Sequence, residues 1–341
     1  MNLWFLLIFF IIVLLSCALV IIFAPSFIAY LKKQKMGQAI REDGPQTHLG
    51  KAGTPTMGGL LIFSSTILVT VIILITYVYT VKWVNPTEII ATIAILLFTI
   101  AVAVIGILDD TKKIKKGRSL GLTSKQKLLL QFIFSALFLV YLYHNNSVML
   151  ILELPFMEFI AITGTLWKIA WGIILLIFLM GYTNAVNLTD GLDGLCGGVT
   201  VIVSLTLGVI ACYQGNIPLA IFLFAIMGSC IGFLRFNLHP AKLFMGDTGS
   251  LALGAALAGS AIMLNAEIYF IISSIVYLIE AFSVVLQVTY FKLTKGKRIF
   301  RMSPFHHHLE QGGWSETKIV NGAMLLTTVT SAIALVLYFK F

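Results

Sequence analysis

Asn184, Asn187, Asp190 and Asp193 recur at three-residue intervals in N-A-V-N-L-T-D-G-L-D-G-L, the stretch from Asn184 to Leu195. Positions i and i+3 share a helix face, so neighbours in this set can converge on one ligand. Carboxylates and carboxamides are hard oxygen donors, suited to Mg²⁺ carrying phosphate rather than to zinc. Gly191, Gly194, Gly197 and Gly198 let the backbone leave the helix and come close to a ligand. The apolar run Ile173 to Met180 just upstream puts these groups at the mouth of a membrane helix. Polar side chains there are functional by default, with a polar cap and turn as the plainer alternative.

Three other stretches carry similar chemistry. An apolar run ends in Asp109-Asp110, and adjacent carboxylates raise one another's pKa unless a cation compensates. Lys112, Lys113, Lys115, Lys116, Arg118, Lys125 and Lys127 follow; such a run is largely ordinary membrane-topology decoration. R-F-N-L-H-P-A-K-L-F-M-G-D-T-G-S, Arg235 to Ser250, adds Asn237, Phe244 and Asp247. Gly246 to Gly249 reads as a turn feeding a helix, whose free N–H groups favour an anion. R-M-S-P-F-H-H-H-L-E-Q-G-G-W, Arg301 to Trp314, brings His306, His307 and His308. Three consecutive side chains cannot all point one way, so a three-histidine metal site is not expected; one or two can bond phosphate or steer a carboxylate. Between Ala39 and Gly59, Gly44 to Lys51 has one residue too many for a phosphate-binding P-loop, and Ala52 stands where Ser or Thr is required. Lys51 remains an anion contact or an interface lysine. Glu280, alone in an apolar run, is expected to hold a bend or bond a neighbouring helix.

The elements that position these groups follow from composition. The chain is 59% hydrophobic and 11% charged, against about 25% charged in a soluble domain. Its long apolar runs predict an all-α polytopic membrane protein, one integral domain over 1–341. Ten spans are expected, near 3–30, 57–79, 88–108, 126–143, 167–186, 197–213, 217–235, 246–265, 267–291 and 319–339. A short outer-face hairpin or amphipathic piece is expected between spans four and five. All but three of the 23 Lys and Arg (Lys82, Lys168, Lys340) fall on one side of that arrangement. The positive-inside rule makes that side cytoplasmic and puts both termini outside. The net charge of +9 is therefore topology, not nucleic-acid binding. The basic cluster after the first run marks a retained span rather than a cleaved signal. Cys17, Cys196, Cys212 and Cys230 form no C-x-x-C pair, so neither a disulfide framework nor a zinc site is expected.

Carboxylates, amides, histidines and glycines meeting at one membrane face describe Mg²⁺-assisted phosphoryl chemistry. The motifs that carry it are R-E-D-G-P…H…K-A-G-T-P-T-M-G-G, D-D at 109–110, the Asn184–Leu195 stretch, F-N-L-H-P-A-K-L-F-M-G-D-T-G-S-L-A-L-G and S-P-F-H-H-H-L-E-x-G-G-W-x-E. Through them the whole chain resembles the phospho-N-acetylmuramoyl-pentapeptide transferases, within the polyprenyl-phosphate N-acetylhexosamine-1-phosphate transferase superfamily. The resemblance implies ten transmembrane helices, a homodimer in the bacterial plasma membrane, an active site facing the cytoplasm, and Mg²⁺. It implies transfer of phospho-MurNAc-pentapeptide from UDP-MurNAc-pentapeptide to undecaprenyl phosphate, giving lipid I and UMP. It makes Asp109 and Asp110 the catalytic pair and Asp247 the main metal ligand, with Asn187 nearby. Lys51, Asp193 and Phe244 become uridine contacts. Lys125 and His306 to His308 face the phosphates or the sugar, His307 and His308 counted with the catalytic groups. Asn184, Asp190 and Asn237 join the substrate-binding set. The sequence departs from the family pattern at Thr111, which follows the Asp pair where an aromatic residue is usual, and at Asn321 to Met324, which replace a usual Arg-Phe-Trp segment; neither change replaces an acid. A same-fold enzyme using UDP-GlcNAc would keep the acids and vary the histidine loop. A secondary transporter would place its charged residues near mid-membrane and show a repeated half, whereas here the acids cluster at one face and the sequence shows no repeat.

Overall fold

A computed structural model describes residues 3–34, 36–37, 51, 53–81, 84–116, 121–145, 151–156 and 160–340. Lys35, most of the Ala39–Gly59 loop, Lys82 and Arg118 lie outside the described residues.

Twelve helices follow one another among the described residues: α1 Leu3–Lys33, α2 Gly59–Thr80, α3 Pro86–Lys116, α4 Ser124–His144, α5 Thr165–Thr189, α6 Leu195–Tyr213, α7 Ile217–Asn237, α8 Gly246–Met263, α9 Glu267–Ser273, α10 Ile275–Leu293, α11 Phe305–Glu310 and α12 Glu316–Lys340. Between α4 and α5 lies the expected hairpin, two antiparallel strands, β1 Ile151–Leu152 and β2 Ile160–Ala161, with Ile151 opposite Ala161.

Nine of these helices are long and apolar enough to cross a membrane, so the chain is a multi-pass membrane protein. The eighth expected span, 246–265, is α8, which is outside that set. Its composition explains why. Gly, Ala and Ser alternate with Leu, and every residue from Thr248 to Met263 is buried. α8 meets protein rather than lipid, so it has no need of large apolar side chains. It packs between α3 and α5, while α7 packs against α1, α2 and α6. The outer helices carry the lipid-facing side chains, among them Ile22, Leu137, Ile177 and Leu325.

The ninth expected span, 267–291, comes in two pieces, broken at Ser274. Ser273 Oγ donates to Phe270 O (3.1 Å), and Ser274 Oγ lies 3.0 Å from the Tyr182 hydroxyl on α5. Such hydroxyls compete with the helix ladder and let it turn. Other polar pairs join helices inside the bundle: Thr66 to Ser229 (3.0 Å), Thr200 to Tyr277 (2.8 Å) and Ser65 to the Ser16 carbonyl (2.8 Å). With little hydrophobic drive between helices in lipid, these bonds and close packing hold the bundle.

Candidate active site

The site gathers where α3 ends and α8 begins. Gly106 permits it. A side chain at that position would collide with the Asp247 carbonyl oxygen and the Thr248 Cα, so the two helices touch backbone to backbone. One turn later come Asp109 and Asp110, both buried. Asp110 turns into the N-terminus of α8. Its Oδ1 accepts the Asp247 N–H (3.2 Å), and its Oδ2 accepts the Thr248 N–H (2.9 Å) and hydroxyl (2.7 Å). The anion favoured by that helix start is thus a side chain of α3, a cap supplied from another helix.

Asp109, Asp110 and Asp247 each offer a carboxylate oxygen within 4.8 Å of the others. Two ammonium groups balance them. Lys113 Nζ lies 2.7 Å from Asp109 Oδ2, 3.0 Å from Asp247 Oδ1 and 3.9 Å from Asp110 Oδ1. Lys127 Nζ lies 2.5 Å from Asp247 Oδ2 and 3.1 Å from Asp109 Oδ1. The Leu122 N–H, just before α4, donates to Asp109 Oδ1 (2.7 Å). Three carboxylates against two ammoniums leave an excess negative charge. Asp109 Oδ2 is buried with no well-aligned hydrogen bond despite its nearby lysine. A set of hard oxygens with that imbalance suits a divalent cation.

Asp190 follows the last turn of α5 and is partly buried. Burial first, then the charges of Asp247 and Asp110, hold its carboxyl well above the usual carboxylate range. Asn187 Nδ2 donates to Ser250 Oγ on α8 (2.8 Å), so this carboxamide lies against the same helix start. Asn184, first of the series, bonds within the bundle instead. Its Nδ2 donates to Gln131 Oε1 on α4 and to the Met180 carbonyl, both at 2.7 Å.

A second cluster lies around Lys51. Its Nζ is 2.7 Å from Asp193 Oδ1 and 2.6 Å from Glu316 Oε1. His239 Nδ1 reaches Asp193 Oδ2 (3.2 Å) and Glu316 Oε2 (3.1 Å). Asn237 shapes the adjoining loops: its Oδ1 accepts the Gly194 N–H (3.0 Å) and its Nδ2 donates to the Leu243 carbonyl (2.9 Å). Phe244 is tied to the segment after Lys51 through its backbone, donating to the Pro55 carbonyl and accepting the Gly58 N–H, each at 2.8 Å. Its half-buried ring is therefore carried beside the Lys51 segment.

The histidines separate, as three consecutive side chains must. His306 is buried against Glu280 (2.9 Å), His307 Nδ1 reaches Glu310 Oε2 (2.7 Å), and His308 Nδ1 accepts the Arg301 N–H (3.1 Å). Lys125 is exposed on the first turn of α4, and no contact ties it to the acidic trio among the described residues.

Sequence reasoning passed over Lys113, Lys127, His239 and Glu316. Lys113 carried a signal, standing four residues after Asp109 on one helix, the spacing of an ion pair. That signal was submerged in a lysine run read as topology. Lys127 and His239 meet the acids only through tertiary contact.

Residues 92–265 match the profile described as glycosyl transferase family 4, and residues 51–63 match phospho-N-acetylmuramoyl-pentapeptide-transferase signature 1. The chain is similar to the phospho-N-acetylmuramoyl-pentapeptide-transferase of Listeria innocua, 46% identical over 88% of this chain and 89% of the relative. It is likewise similar to those of Geobacillus thermodenitrificans (44%; 89% and 90%) and Clostridium perfringens (45%; 94% and 96%).

Proposed function

The chain belongs to the phospho-N-acetylmuramoyl-pentapeptide-transferase family, and from that premise we propose that the acidic trio Asp109, Asp110 and Asp247 is its phosphoryl-transfer centre. It is a membrane transferase of peptidoglycan synthesis. On this reading its donor is UDP-MurNAc-pentapeptide and its acceptor undecaprenyl phosphate. A phosphate oxygen of the acceptor attacks the sugar-linked phosphorus, the bond to UMP breaks, and lipid I and UMP leave. The meeting of the three acids at the α3–α8 contact is the observation that carries the proposal.

Asp109, Asp110 and Asp247 fit Mg²⁺ by donor type and by the excess negative charge that they and two lysines leave; Asn187 stands close by on α5. Bound there, Mg²⁺ would neutralise pyrophosphate oxygens and template the displacement. The chain's own groups do the rest. Lys113 and Lys127 bring positive charge to the phosphates. Asp110, bonded to the α8 N-terminus, fixes where Asp247 stands. Asp109 Oδ2, beside Lys113 but without a well-aligned hydrogen bond, is the carboxylate oxygen placed to take a proton or a cation. Asp190 and Asn187 line the approach, and Lys51, Asp193 and Phe244 receive the nucleotide. His306, His307 and His308 lie toward the sugar and peptide, with Lys125 at the rim. Asn237 belongs to this reading as a support of the binding loops, and Asn184 as a tie between α4 and α5.

The remaining parts of the reading concern place and assembly. The split of Lys and Arg between the two sides supports an active site on the cytoplasmic face of the bacterial plasma membrane, with both termini outside. The homodimer rests on resemblance. Release of UMP by the purified protein from a panel of UDP-sugars, with and without Mg²⁺, tests the whole. UDP-MurNAc-pentapeptide should serve and UDP-GlcNAc should not; the acids meet only the pyrophosphate that both share, so the choice falls to the loop from Ser303 to Trp314, whose groups a substrate without the peptide arm leaves unpaired. Preference for UDP-GlcNAc would reassign the substrate within the superfamily.

A further inference from the structure

Glu316 opens α12 and takes no part in the phosphoryl transfer itself. Its Oε1 accepts two donors, the Lys51 ammonium at 2.6 Å and the Asp193 backbone N–H at 2.6 Å. Its Oε2 lies 3.1 Å from His239 Nδ1. One carboxylate thus ties together the segment before α2, the loop between α5 and α6, and the loop between α7 and α8. Asp193 completes the ring, its Oδ2 accepting the Ala241 N–H at 3.0 Å.

Charge and donor count say what this ring can receive. An ammonium has three donors. Lys51 gives two, to Asp193 and Glu316, and its side chain is 17% exposed, so one is left for a ligand. Two carboxylates face that one ammonium and the His239 imidazole, so the cluster holds no excess positive charge, which disfavours phosphate. An uncharged ring with a carbonyl oxygen suits the remaining N–H. Phosphate is better served at the other cluster, by Lys113 and Lys127.

We infer that Glu316 is a positioning residue for nucleobase recognition, holding the Lys51 ammonium and the Asp193 backbone so that the site takes the carbonyl-bearing edge of a base. This rests on the nucleotide-sugar transferase reading above. What matters is the reach of Oε1, not the charge alone. Glu316→Gln keeps that oxygen in place, whereas Glu316→Asp keeps the charge but is one methylene short.

Steady-state kinetics of the purified, full-length protein separate the cases. Glu316→Ala and Glu316→Asp should raise KM for UDP-MurNAc-pentapeptide by at least about tenfold, the scale of a lost charged hydrogen bond. The kcat value and the KM for undecaprenyl phosphate should stay within about twofold, since neither depends on this contact. Glu316→Gln should remain within about threefold of the parent KM because its oxygen still accepts. A purely structural role would move kcat and both KM values together, without the Gln–Asp split. If Glu316→Ala does not fold, calorimetric binding of UMP to the Gln and Asp variants decides: weaker binding in Asp alone supports the inference, and equal binding overturns it. An unchanged KM in Glu316→Ala also overturns it, while a parent enzyme that releases no UMP counts against the transferase reading instead.

Discussion

Glu280 Oε2 lies 2.9 Å from His306 Nδ1 and also accepts the His306 backbone N–H at 3.3 Å. Both side chains are shut away from solvent, 5% and 1% exposed. The lone carboxylate of α10 therefore bonds α11, a neighbouring element, as expected of a costly charge in an apolar run. It also orients the imidazole, holding Nδ1 on Glu280 and turning Nε2 toward Gly191. Nε2 has no hydrogen-bond partner among the described residues, and a side chain at Gly191 would run into it. The histidine loop is thereby pressed against the loop that carries Asp190.

Removing that carboxylate leaves two buried donors unpaired. Glu280→Ala should cost about 1–3 kcal/mol of stability, the penalty for stranding such groups. It should also reduce kcat/KM, because the histidine loop loses its anchor. Glu280→Gln retains an acceptor and should recover most of both. Thermal melts in detergent and UMP-release kinetics check this, and a parent-like Glu280→Ala protein would refute it.

Asp190 gives a pH-dependent expectation. Its carboxyl titrates well above the usual range, which is near 4 in an unfolded chain, about 3.9 for aspartate. Between those two values the native state holds a proton that the unfolded chain has released. Stability therefore falls as pH rises through that window, and the cost is complete above the native pKa. Asparagine has no proton to lose. In metal-free buffer, Asp190→Asn should melt higher than the parent near pH 8 and match it near pH 4, while turnover falls. Melting curves at several pH values check the sign; a variant less stable than the parent at pH 8 would contradict it.

Phe244 is held beside the Lys51 segment by two backbone hydrogen bonds of 2.8 Å. A leucine there preserves apolar bulk but not the aromatic face, a difference of roughly 0.5–1.5 kcal/mol. Phe244→Leu should raise KM for the UDP-sugar several-fold and leave KM for the lipid phosphate nearly unchanged. A defect confined to the lipid substrate would move Phe244 to the membrane interface.

Span positions and acids were legible because each leaves a local mark. Apolar runs longer than a bilayer needs announce helices, and Asp109, Asp110 and Asp247 sit where such runs end. α8 was legible as a span but not as a wholly protein-enclosed helix, since only packing shows that its small residues face α3 and α5. The break at Ser274 was hidden because two serines in an apolar run also fit an unbroken helix. Lys127, His239 and Glu316 were silent for another reason. Each acts through partners far away in the chain, Glu316 on Lys51 and Asp193, and no spacing rule reaches that far. Asn184 shows the reverse: it shares the three-residue spacing with Asn187, yet its carboxamide turns to Gln131.

The central claim is that Asp109, Asp110 and Asp247 form the phosphoryl-transfer centre. UMP release from UDP-MurNAc-pentapeptide and undecaprenyl phosphate, measured across a Mg²⁺ titration for the parent and for the Asn variants at the three positions, tests it most directly. Each substitution keeps size and removes charge, so kcat should fall at least about 10²-fold, the scale of losing one electrostatic element of a catalytic site. Asp247→Asn should also require more Mg²⁺ for half-maximal rate. Parent-like turnover and Mg²⁺ dependence in all three folded variants would contradict the account.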